Sequence, residues 1–359
     1  MSALRTRICD LFGVRYPIVQ TGMGYVSGPR LVTATANAGG LGIIAGATLR
    51  VEDLAQAIRK VKDRTGAPFG VNLRADAGDV RERVRMLIEQ GVRVASFALA
   101  PKPELIARLK DAGVVVVPSV GARRHAEKVA AWGADAVVVQ GAEGGGHSGP
   151  VPTSLLLPQV VDAVEIPVIA AGGFFDGRGL VAALAYGASG IAMGTRFLLT
   201  TDSPVAEAVK RLYLNASVTD TLWTDALDGV PQRLLRTPAV EALVASGRVP
   251  RVLRALRSAR QFRRLSGTSW RGMVGEGRAL RREHGLTWEQ VLLAANTPAV
   301  LRAAMVDGRT EHGIMATGQV AGLIDDLPSV AELIERIMAQ AHAVLNGLTR
   351  TEEAADVRA

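Results

Sequence analysis

Short apolar runs recur at a regular interval in the first part of the chain, and a stretch of helical character follows each of them. Runs of this length, rich in valine, isoleucine and alanine, are typical of parallel strands that are buried on both faces. The alternation predicts an α/β fold, a closed (βα)8 barrel of the TIM type, although an open doubly wound sheet uses the same alternation. The eight runs lie at residues 17–20, 41–45, 69–73, 93–98, 114–118, 136–140, 167–172 and 190–194.

The barrel is predicted to occupy only part of the chain. Residues 1–202 are assigned to the (βα)8 barrel core, which suits a chain of 359 residues that is 48% hydrophobic. Residues 203–287 show little strand character, so we expect an arginine-rich helical subdomain inserted there. Residues 288–345 return to the barrel and include its last helix, expected over 327–345, and residues 346–359 are predicted to form a flexible tail.

The composition excludes several classes of protein. Cys9 is the only cysteine, so the chain can form neither an intrachain disulfide nor a cysteine zinc cluster. The histidines show no metal-ligand spacing, so no metal is expected. The N-terminus lacks the uninterrupted apolar core of a signal peptide, and the longest charge-free stretch is interrupted by glycines. These features predict a cytoplasmic protein without a membrane partner.

The positive charge of the chain is concentrated in one window. The whole chain carries a net charge of +8, and ten arginines but only one acidic residue lie between Arg251 and Arg282. One interpretation is a solvated helical face. The other is a site for phosphates, those of a coenzyme A tail or of a nucleic acid, because guanidinium groups bind phosphate well. The candidate substrate contacts in this window are Arg260, Arg263, Arg264 and Arg271.

A glycine-rich segment, QGAEGGGHSG at 140–149, ends the sixth apolar run. Three consecutive glycines let the backbone turn tightly or approach a ligand closely. His147 would follow the carboxyl end of a strand, which is where ligands bind in parallel α/β proteins. The segment therefore makes His147 the candidate catalytic residue, with a purely structural polar residue as the alternative.

The seventh and eighth runs also end in small residues, in the sequences AAGGFFDGRG (170–179) and AMGTRF (192–197). In (βα)8 barrels the loops after these two strands form the usual phosphate site. Backbone N–H groups at Gly173, Gly194 and Thr195 would bind the phosphate, unless the glycines serve only tight turns. Asp176 is expected to cap the helix that follows the seventh run.

Taken together, these motifs resemble the nitronate monooxygenase, or 2-nitropropane dioxygenase-like, family of FMN-dependent barrels. The resemblance is carried by PIVQTGMG (17–24), NAGGLGIIAG (37–46), PFGVNL (68–73), QGAEGGGHSG, PVIAAGGF (167–174) and AMGTRFLLTTDS (192–203). It implies FMN as the cofactor, with His147 near the reactive face of the flavin. The cofactor-binding residues that it implies are Gly22, Met23, Asn72, Gln140, Gly145, Gly172, Gly173, Gly194 and Thr195.

Two departures from the family pattern bear on the substrate. Where monooxygenase members typically read EAGGHRG and QMGT, this chain has Gly144 and Ser148 around the histidine and Ala192 before Met193. The chain looks closer to actinobacterial members that act as acyl-CoA dehydrogenases in steroid ring degradation. That likeness implies α,β-dehydrogenation of a bicyclic acyl-CoA thioester, with His147 as general base and the flavin as hydride acceptor.

Other functions stay open at this point. One alternative is a nitronate monooxygenase that uses oxygen, and a second is an FMN-dependent enoyl-thioester reductase. The electron acceptor that reoxidises the flavin is expected to be a nicotinamide or oxygen. No nucleic-acid partner is expected, since the only cysteine precedes the first strand, whereas flavin barrels that reduce tRNA are expected to use a cysteine in the active site. The sequence allows a homodimer without predicting one.

Overall fold

Eight parallel strands close into a barrel, and the predicted (βα)8 fold is confirmed. The computed structural model describes residues 4–245, 301–310 and 313–356. Neighbouring barrel strands are hydrogen-bonded in the order β1, β2, β3, β4, β5, β6, β8, β9 and back to β1. In chain order the strands are β1 (Ile18–Gln20), β2 (Leu41–Ala45), β3 (Phe69–Arg74), β4 (Val94–Ala98), β5 (Val115–Val120), β6 (Val137–Gln140), β7 (Gly146–His147), β8 (Val168–Ala171), β9 (Gly190–Met193), β10 (Thr221–Thr224) and β11 (Gln232–Leu235).

Helices alternate with the barrel strands and bury one face each. In α3, for example, the buried residues Leu54, Ile58 and Val61 recur at helical spacing and pack toward the strands. The helices are α1 (Arg7–Phe12), α2 (Pro29–Asn37), α3 (Val51–Lys62), α4 (Val80–Glu89), α5 (Pro103–Asp111), α6 (Arg123–Ala131), α7 (Thr153–Val161), α8 (Gly177–Ala185), α9 (Thr195–Leu198), α10 (Glu207–Leu214), α11 (Pro238–Ala245) and α12 (Val330–Asp356).

The N-terminal helix α1 closes the end of the barrel at which the strands begin. Ile8 and Phe12 are fully buried and belong to the cluster of apolar side chains inside the barrel. The Thr6 hydroxyl donates to the Ser189 carbonyl just before β9, and Arg7 donates to the Glu165 carbonyl before β8. Because this end is filled, the carboxyl ends of the strands are left to form the site.

The chain divides into two compact units. The first comprises Met1–Gly144, Ser148–Pro204 and Leu323–Ala359, and contains the barrel. The second comprises Gly145–His147 and Val205–Gly322. Three residues of the glycine-rich segment, Gly145–His147, therefore belong to the second unit. The predicted boundary at residue 202 placed the whole segment in the barrel core.

The second unit contains an antiparallel sheet in the order β10, β11, β7. Its small apolar core includes Leu227, Leu234, Val240 and Ile314. The described part of the segment after residue 203 contains the helices α10 and α11 and also the strands β10 and β11, which the sequence did not predict. The inserted helical subdomain stays a prediction. The arginine window, including Arg260, Arg263, Arg264 and Arg271, lies outside the described residues, and so do residues 246–300 as a whole.

The last helix is longer than expected. The sequence predicted a helix over 327–345 and a flexible tail over 346–359, whereas α12 runs from Val330 to Asp356. The helix continues through residues 346–356, and the flexibility of the tail stays a prediction. Residues 357–359 lie outside the described part of the chain. Within the described residues, no helix is both long enough and apolar enough to cross a membrane.

Candidate functional site

The carboxyl ends of five barrel strands, β6, β8, β9, β1 and β3, carry most of the predicted cofactor residues. Gln140 is in register with Ala171, Ala171 with Ala192, and Gln20 with Met193. Adjacent strands lie about 4.8 Å apart, so residues at successive strand ends are neighbours. The barrel therefore brings the predicted residues after β1, β8 and β9, together with Asn72 on β3 and Gln140 on β6, to one arc of its rim.

Gly22 and Asn72 are in direct contact across this arc. A Cβ atom at position 22 would lie 2.6 Å from the Asn72 Cβ, so the two residues leave no room for a side chain between them. The Asn72 amide nitrogen donates to the Ser96 hydroxyl over 3.2 Å. That bond fixes the orientation of the amide at the end of β3, as a flavin contact would require.

Ser27 holds the loop that carries Gly22 and Met23. The Ser27 hydroxyl accepts from the Met23 N–H over 2.9 Å and from the Gln20 amide over 2.8 Å, and it donates to the Thr21 carbonyl over 2.8 Å. The Gln20 side-chain oxygen is buried without a hydrogen-bond donor among the described residues. A buried acceptor of this kind is normally satisfied by a water or a ligand.

Met23 and Gly194 meet where β1 adjoins β9. A Cβ atom at position 194 would lie 3.4 Å from the Met23 sulfur and 3.3 Å from the Thr21 hydroxyl. The Thr21 N–H also donates to the Met193 carbonyl over 3.1 Å. Thr195, the next residue after Gly194, opens α9 and is buried. The structure thus places the loop after β1 against the predicted phosphate loop after β9.

Gly172 and Gly173 follow β8 with φ values of +92° and +88°. Consecutive left-handed residues strongly favour glycine, because a Cβ atom is strained in this region. The Thr153 hydroxyl lies 2.9 Å from the Gly172 carbonyl oxygen, next to this turn. Asp176 caps the helix that follows, since its carboxylate accepts from the Gly179 N–H over 3.0 Å, as the sequence predicted.

Glu143 has a structural partner in the same unit. Its carboxylate accepts from the Thr153 N–H over 3.1 and 3.0 Å, one contact for each oxygen, and lies 2.8 Å from the Thr153 hydroxyl. Thr153 begins α7, so the carboxylate satisfies an N–H group of its first turn and complements the helix dipole. These contacts of Glu143 are those of a helix cap.

His147 contacts a carboxylate within the second unit. Its Nε2 atom lies 2.9 Å from the Asp228 Oδ2 atom. The Asp228 side chain is 8% exposed, whereas the His147 side chain is 53% exposed. The register of β7 on β11 places His147 opposite Gln232, so the strand pairing supports the position of the imidazole. Gly145, in the same short segment, lies against the backbone of Thr317.

The residues present fit a flavin mononucleotide. The turn at Gly172 and Gly173 and the neighbouring loop at Gly194 expose backbone at the rim, where N–H groups can bind a phosphate. Asn72 and the unsatisfied Gln20 oxygen provide polar groups on the same arc. In the described part of the chain, His, Cys, Asp and Glu residues form no group of three or more that could hold a metal ion.

Four polar residues that support these positions were not found from the sequence. Asp228 lies far from His147 in sequence, and the only signal for it is the Asp228-Gly229 pair, which is typical of a hairpin turn. The other three, Ser27, Ser96 and Thr153, have no pattern that separates them from surface hydroxyl residues.

A family model described as nitronate monooxygenase matches residues 5–340, which is nearly the whole chain. The chain belongs to the nitronate monooxygenase family. The resemblance seen in the sequence motifs is thereby confirmed.

Two relatives of the chain share one name with each other, (3aS,4S,5R,7aS)-5-hydroxy-7a-methyl-1-oxo-octahydro-1H-indene-4-carboxyl-CoA dehydrogenase. The protein from Mycobacterium tuberculosis is 62% identical over 341 residues, covering 94% of this chain and 96% of its own length. The protein from Rhodococcus jostii is 57% identical over 341 residues, covering 95% and 97%. Among solved structures, FabK from Thermotoga maritima is similar with a TM-score of 0.80 and 34% identity, covering 97% of this chain and 100% of that one.

Proposed function

We propose that this protein is an FMN-dependent dehydrogenase of a bicyclic acyl-CoA thioester. The observation that carries the proposal is the 62% identity, over 94% of the chain, to a protein named as an octahydroindene carboxyl-CoA dehydrogenase. Fold alone would not support this conclusion, because barrels of this kind host many reactions.

The rim of the barrel is suited to hold FMN. The phosphate would bind to backbone N–H groups of the loops after β8 and β9, at Gly172, Gly173, Gly194 and Thr195. The isoalloxazine and ribityl groups would contact the remaining predicted residues. When bound, the flavin supplies the acceptor for the hydride that leaves the β-carbon of the substrate. The residues proposed for the ring and ribityl contacts are Gly22, Met23, Asn72, Gln140 and Gly145.

His147 is the proposed general base. A thioester carbonyl acidifies the proton on the adjacent α-carbon, and an imidazole can accept that proton at neutral pH. Loss of the α-proton to His147 and of hydride from the β-carbon leaves an enoyl thioester. The half-exposed side chain of His147 is consistent with access by a substrate.

The arginine window is the proposed binding region for the coenzyme A tail. That tail carries several phosphate charges, and guanidinium forks bind phosphate through paired hydrogen bonds. Arg260, Arg263, Arg264 and Arg271 remain the candidate contacts. Replacing all four by glutamine should raise the KM for the thioester at least tenfold while the flavin stays bound, and an unchanged KM would contradict this assignment.

Anaerobic reduction of the bound flavin tests the proposal. The purified yellow protein is mixed with an octahydroindene carboxyl-CoA thioester, and bleaching of the flavin absorbance is followed by stopped flow. We expect bleaching by the wild type, and a rate lower by about 100-fold or more in His147→Ala with the flavin still bound. His125→Ala, which removes an exposed imidazole on α6, is the matched control and should keep the wild-type rate.

Two further assays on the same purified protein distinguish the proposed dehydrogenase from a nitronate monooxygenase and from an enoyl-thioester reductase. Oxygen uptake with propionate 3-nitronate, without bleaching by the thioester, would favour nitronate oxidation instead. Bleaching by a reduced nicotinamide, followed by reoxidation with an enoyl thioester, would favour the reductase. After anaerobic bleaching, addition of oxidised nicotinamide or of oxygen shows which acceptor restores the yellow form.

A further inference from the structure

The carboxylate of Asp228 is held from two sides. Its Oδ1 atom accepts from the Val230 N–H over 3.1 Å, within its own turn, and its Oδ2 atom faces His147 Nε2 over 2.9 Å. The Asp225 carbonyl accepts from the Gly229 N–H over 2.8 Å, which closes the same loop. One carboxylate oxygen is therefore fixed by the backbone while the other is directed at the imidazole.

The sheet of the second unit fixes the other partner. His147 lies opposite Gln232 in the β7–β11 pair, and Asp228 precedes β11 by four positions in the loop from β10. The backbone of the histidine and the loop of the aspartate are thus parts of one hydrogen-bonded element. The side chain of Asp228 is almost completely buried, so water competes little for the contact.

We propose that Asp228 is a positioning residue that sets which nitrogen of His147 accepts the substrate proton. An ionised carboxylate only accepts hydrogen bonds, so the neutral imidazole beside it carries its proton on Nε2. Nδ1 is then the basic nitrogen. When Nδ1 takes up the α-proton, the adjacent carboxylate stabilises the resulting imidazolium and keeps the ring in place. The inference rests on the proposed function of His147 as a base.

Asp228→Asn is the informative substitution. The asparagine oxygen can still accept from the Val230 N–H, so the turn keeps its bond. The asparagine nitrogen then faces His147 Nε2 and can only donate, which moves the imidazole proton to Nδ1 and blocks the nitrogen assigned as base. The substitution changes the tautomer with little change in volume.

The tautomer is measured directly. Long-range proton–nitrogen correlation spectra of protein labelled with ¹⁵N-histidine distinguish a protonated Nε2 from a protonated Nδ1, and His147→Ala identifies the signal. We expect protonated Nε2 in the wild type and protonated Nδ1 in Asp228→Asn. Asp225→Asn removes an exposed carboxylate from the same loop and should leave the tautomer unchanged.

The rate of flavin reduction is the second measurement that tests the role of Asp228. Flavin reduction by the bicyclic thioester should fall about 10²- to 10⁴-fold in kcat in Asp228→Asn, with KM nearly unchanged, because the substrate still binds. Asp228→Glu, which restores a carboxylate, should recover the Nε2 tautomer and part of the rate. Flavin content and circular dichroism confirm that each variant is folded.

The outcomes separate the two proposals. If His147→Ala slows the reaction while Asp228→Asn keeps both the wild-type tautomer and rate, the positioning role is overturned and the function of His147 stands. If His147→Ala leaves the rate unchanged, the proposed base is overturned, and the tautomer in Asp228→Asn still decides whether Asp228 holds the ring. A slow Asp228→Asn variant with an unchanged tautomer would also contradict the mechanism of positioning.

Discussion

The absence of one Cβ atom at Gly144 decides where the amide of Gln140 lies. A Cβ atom at this position would stand 2.6 Å from the Gln140 amide nitrogen and 2.8 Å from its Cγ atom. The monooxygenase members that the motif resembles typically read EAGGHRG, with alanine at this position. The glycine of this chain leaves room for the Gln140 side chain, which we assign to the flavin.

We expect Gly144→Ala to displace the Gln140 amide without unfolding the barrel. The contact is with a flexible side chain, which can rotate away, so the free energy of unfolding should fall by only about 1 kcal/mol, the low end of the cost of overpacking. Loss of a polar contact to the flavin should weaken FMN binding about tenfold, which corresponds to about 1.4 kcal/mol. Titration of the apoprotein with FMN, followed by flavin fluorescence, measures this affinity.

Gly66→Ala serves as the control for this substitution. A Cβ atom at position 66 meets no heavy atom within 4 Å, so alanine fits there without displacing anything. FMN affinity should equal that of the wild type. Equal affinities in both variants would show that the Gln140 amide makes no important contact with the cofactor.

Some of the residues discussed above could be identified from the sequence, and others could not. The glycines around His147 stand out because a run of three lets the backbone turn tightly or approach a ligand closely. Asp228 does not stand out, because its role depends on a contact with a residue 81 positions away. The tight turn at Gly172 and Gly173 could be predicted from its place after a buried strand, and the part of these glycines in phosphate binding stays a prediction.

At the scale of elements, Glu143 connects the glycine-rich segment to helix α7. Its carboxylate accepts from the first N–H of the helix, at Thr153. We expect Glu143→Ala to lower the free energy of unfolding by about 1 kcal/mol, as the loss of a helix cap does. Urea denaturation followed by circular dichroism measures the change.

The same variant distinguishes a cap from an orienting residue. If Glu143 acts only on α7, the tautomer of His147 should be the same in Glu143→Ala as in the wild type. Glu165→Ala, an exposed glutamate after α7, is the control and should change stability by less than about 0.5 kcal/mol. A changed His147 tautomer in Glu143→Ala would assign Glu143 an orienting role.

The elements of the barrel could be predicted because each is signalled locally. All eight apolar runs coincide with the barrel strands to within three residues, since a strand buried on both faces is mostly apolar along its length. The small sheet was missed because β7 has two residues, and β10 and β11 have four each with mixed polar and apolar positions. Strands this short are specified by pairing across the sheet and not by their own sequence.

At the scale of the molecule, the barrel unit depends on residues from distant parts of the chain. The Thr201 N–H donates to the Pro328 carbonyl over 2.9 Å, and the Val330 N–H donates to the Asp202 carboxylate over 2.8 Å. These bonds join the segment after β9 to the start of α12, although more than a hundred residues lie between them. The return of the chain to the barrel could be predicted from the apolar periodicity of α12, but these tertiary bonds could not.

Asp326 is the charged centre of this junction. Its Oδ1 atom accepts from Arg196 Nη1 over 2.9 Å, and Arg336 of α12 donates to its Oδ2 atom. Partial burial would raise the pKa of Asp326, but hydrogen bonds and charges from Arg336 and Arg196 outweigh that effect and hold the pKa below its usual value. Arg196 is 5% exposed, so its guanidinium depends on this partner.

We expect Asp326→Asn to lower the free energy of unfolding at pH 7 by about 1–2 kcal/mol, because a buried guanidinium loses its charged partner. A carboxylate whose pKa is lowered by folding stabilises the protein above the unfolded pKa, which is about 4, and this contribution is lost as the pH falls through the folded pKa. The difference between wild type and Asp326→Asn should therefore be full at pH 7 and pH 5 and shrink below about pH 4. Urea unfolding at these pH values measures it, with Asp325→Asn, an exposed neighbour, as the control. A difference that persists unchanged at low pH, or that Asp325→Asn reproduces, would mean that the ion pairs of Asp326 do not hold α12 to the barrel.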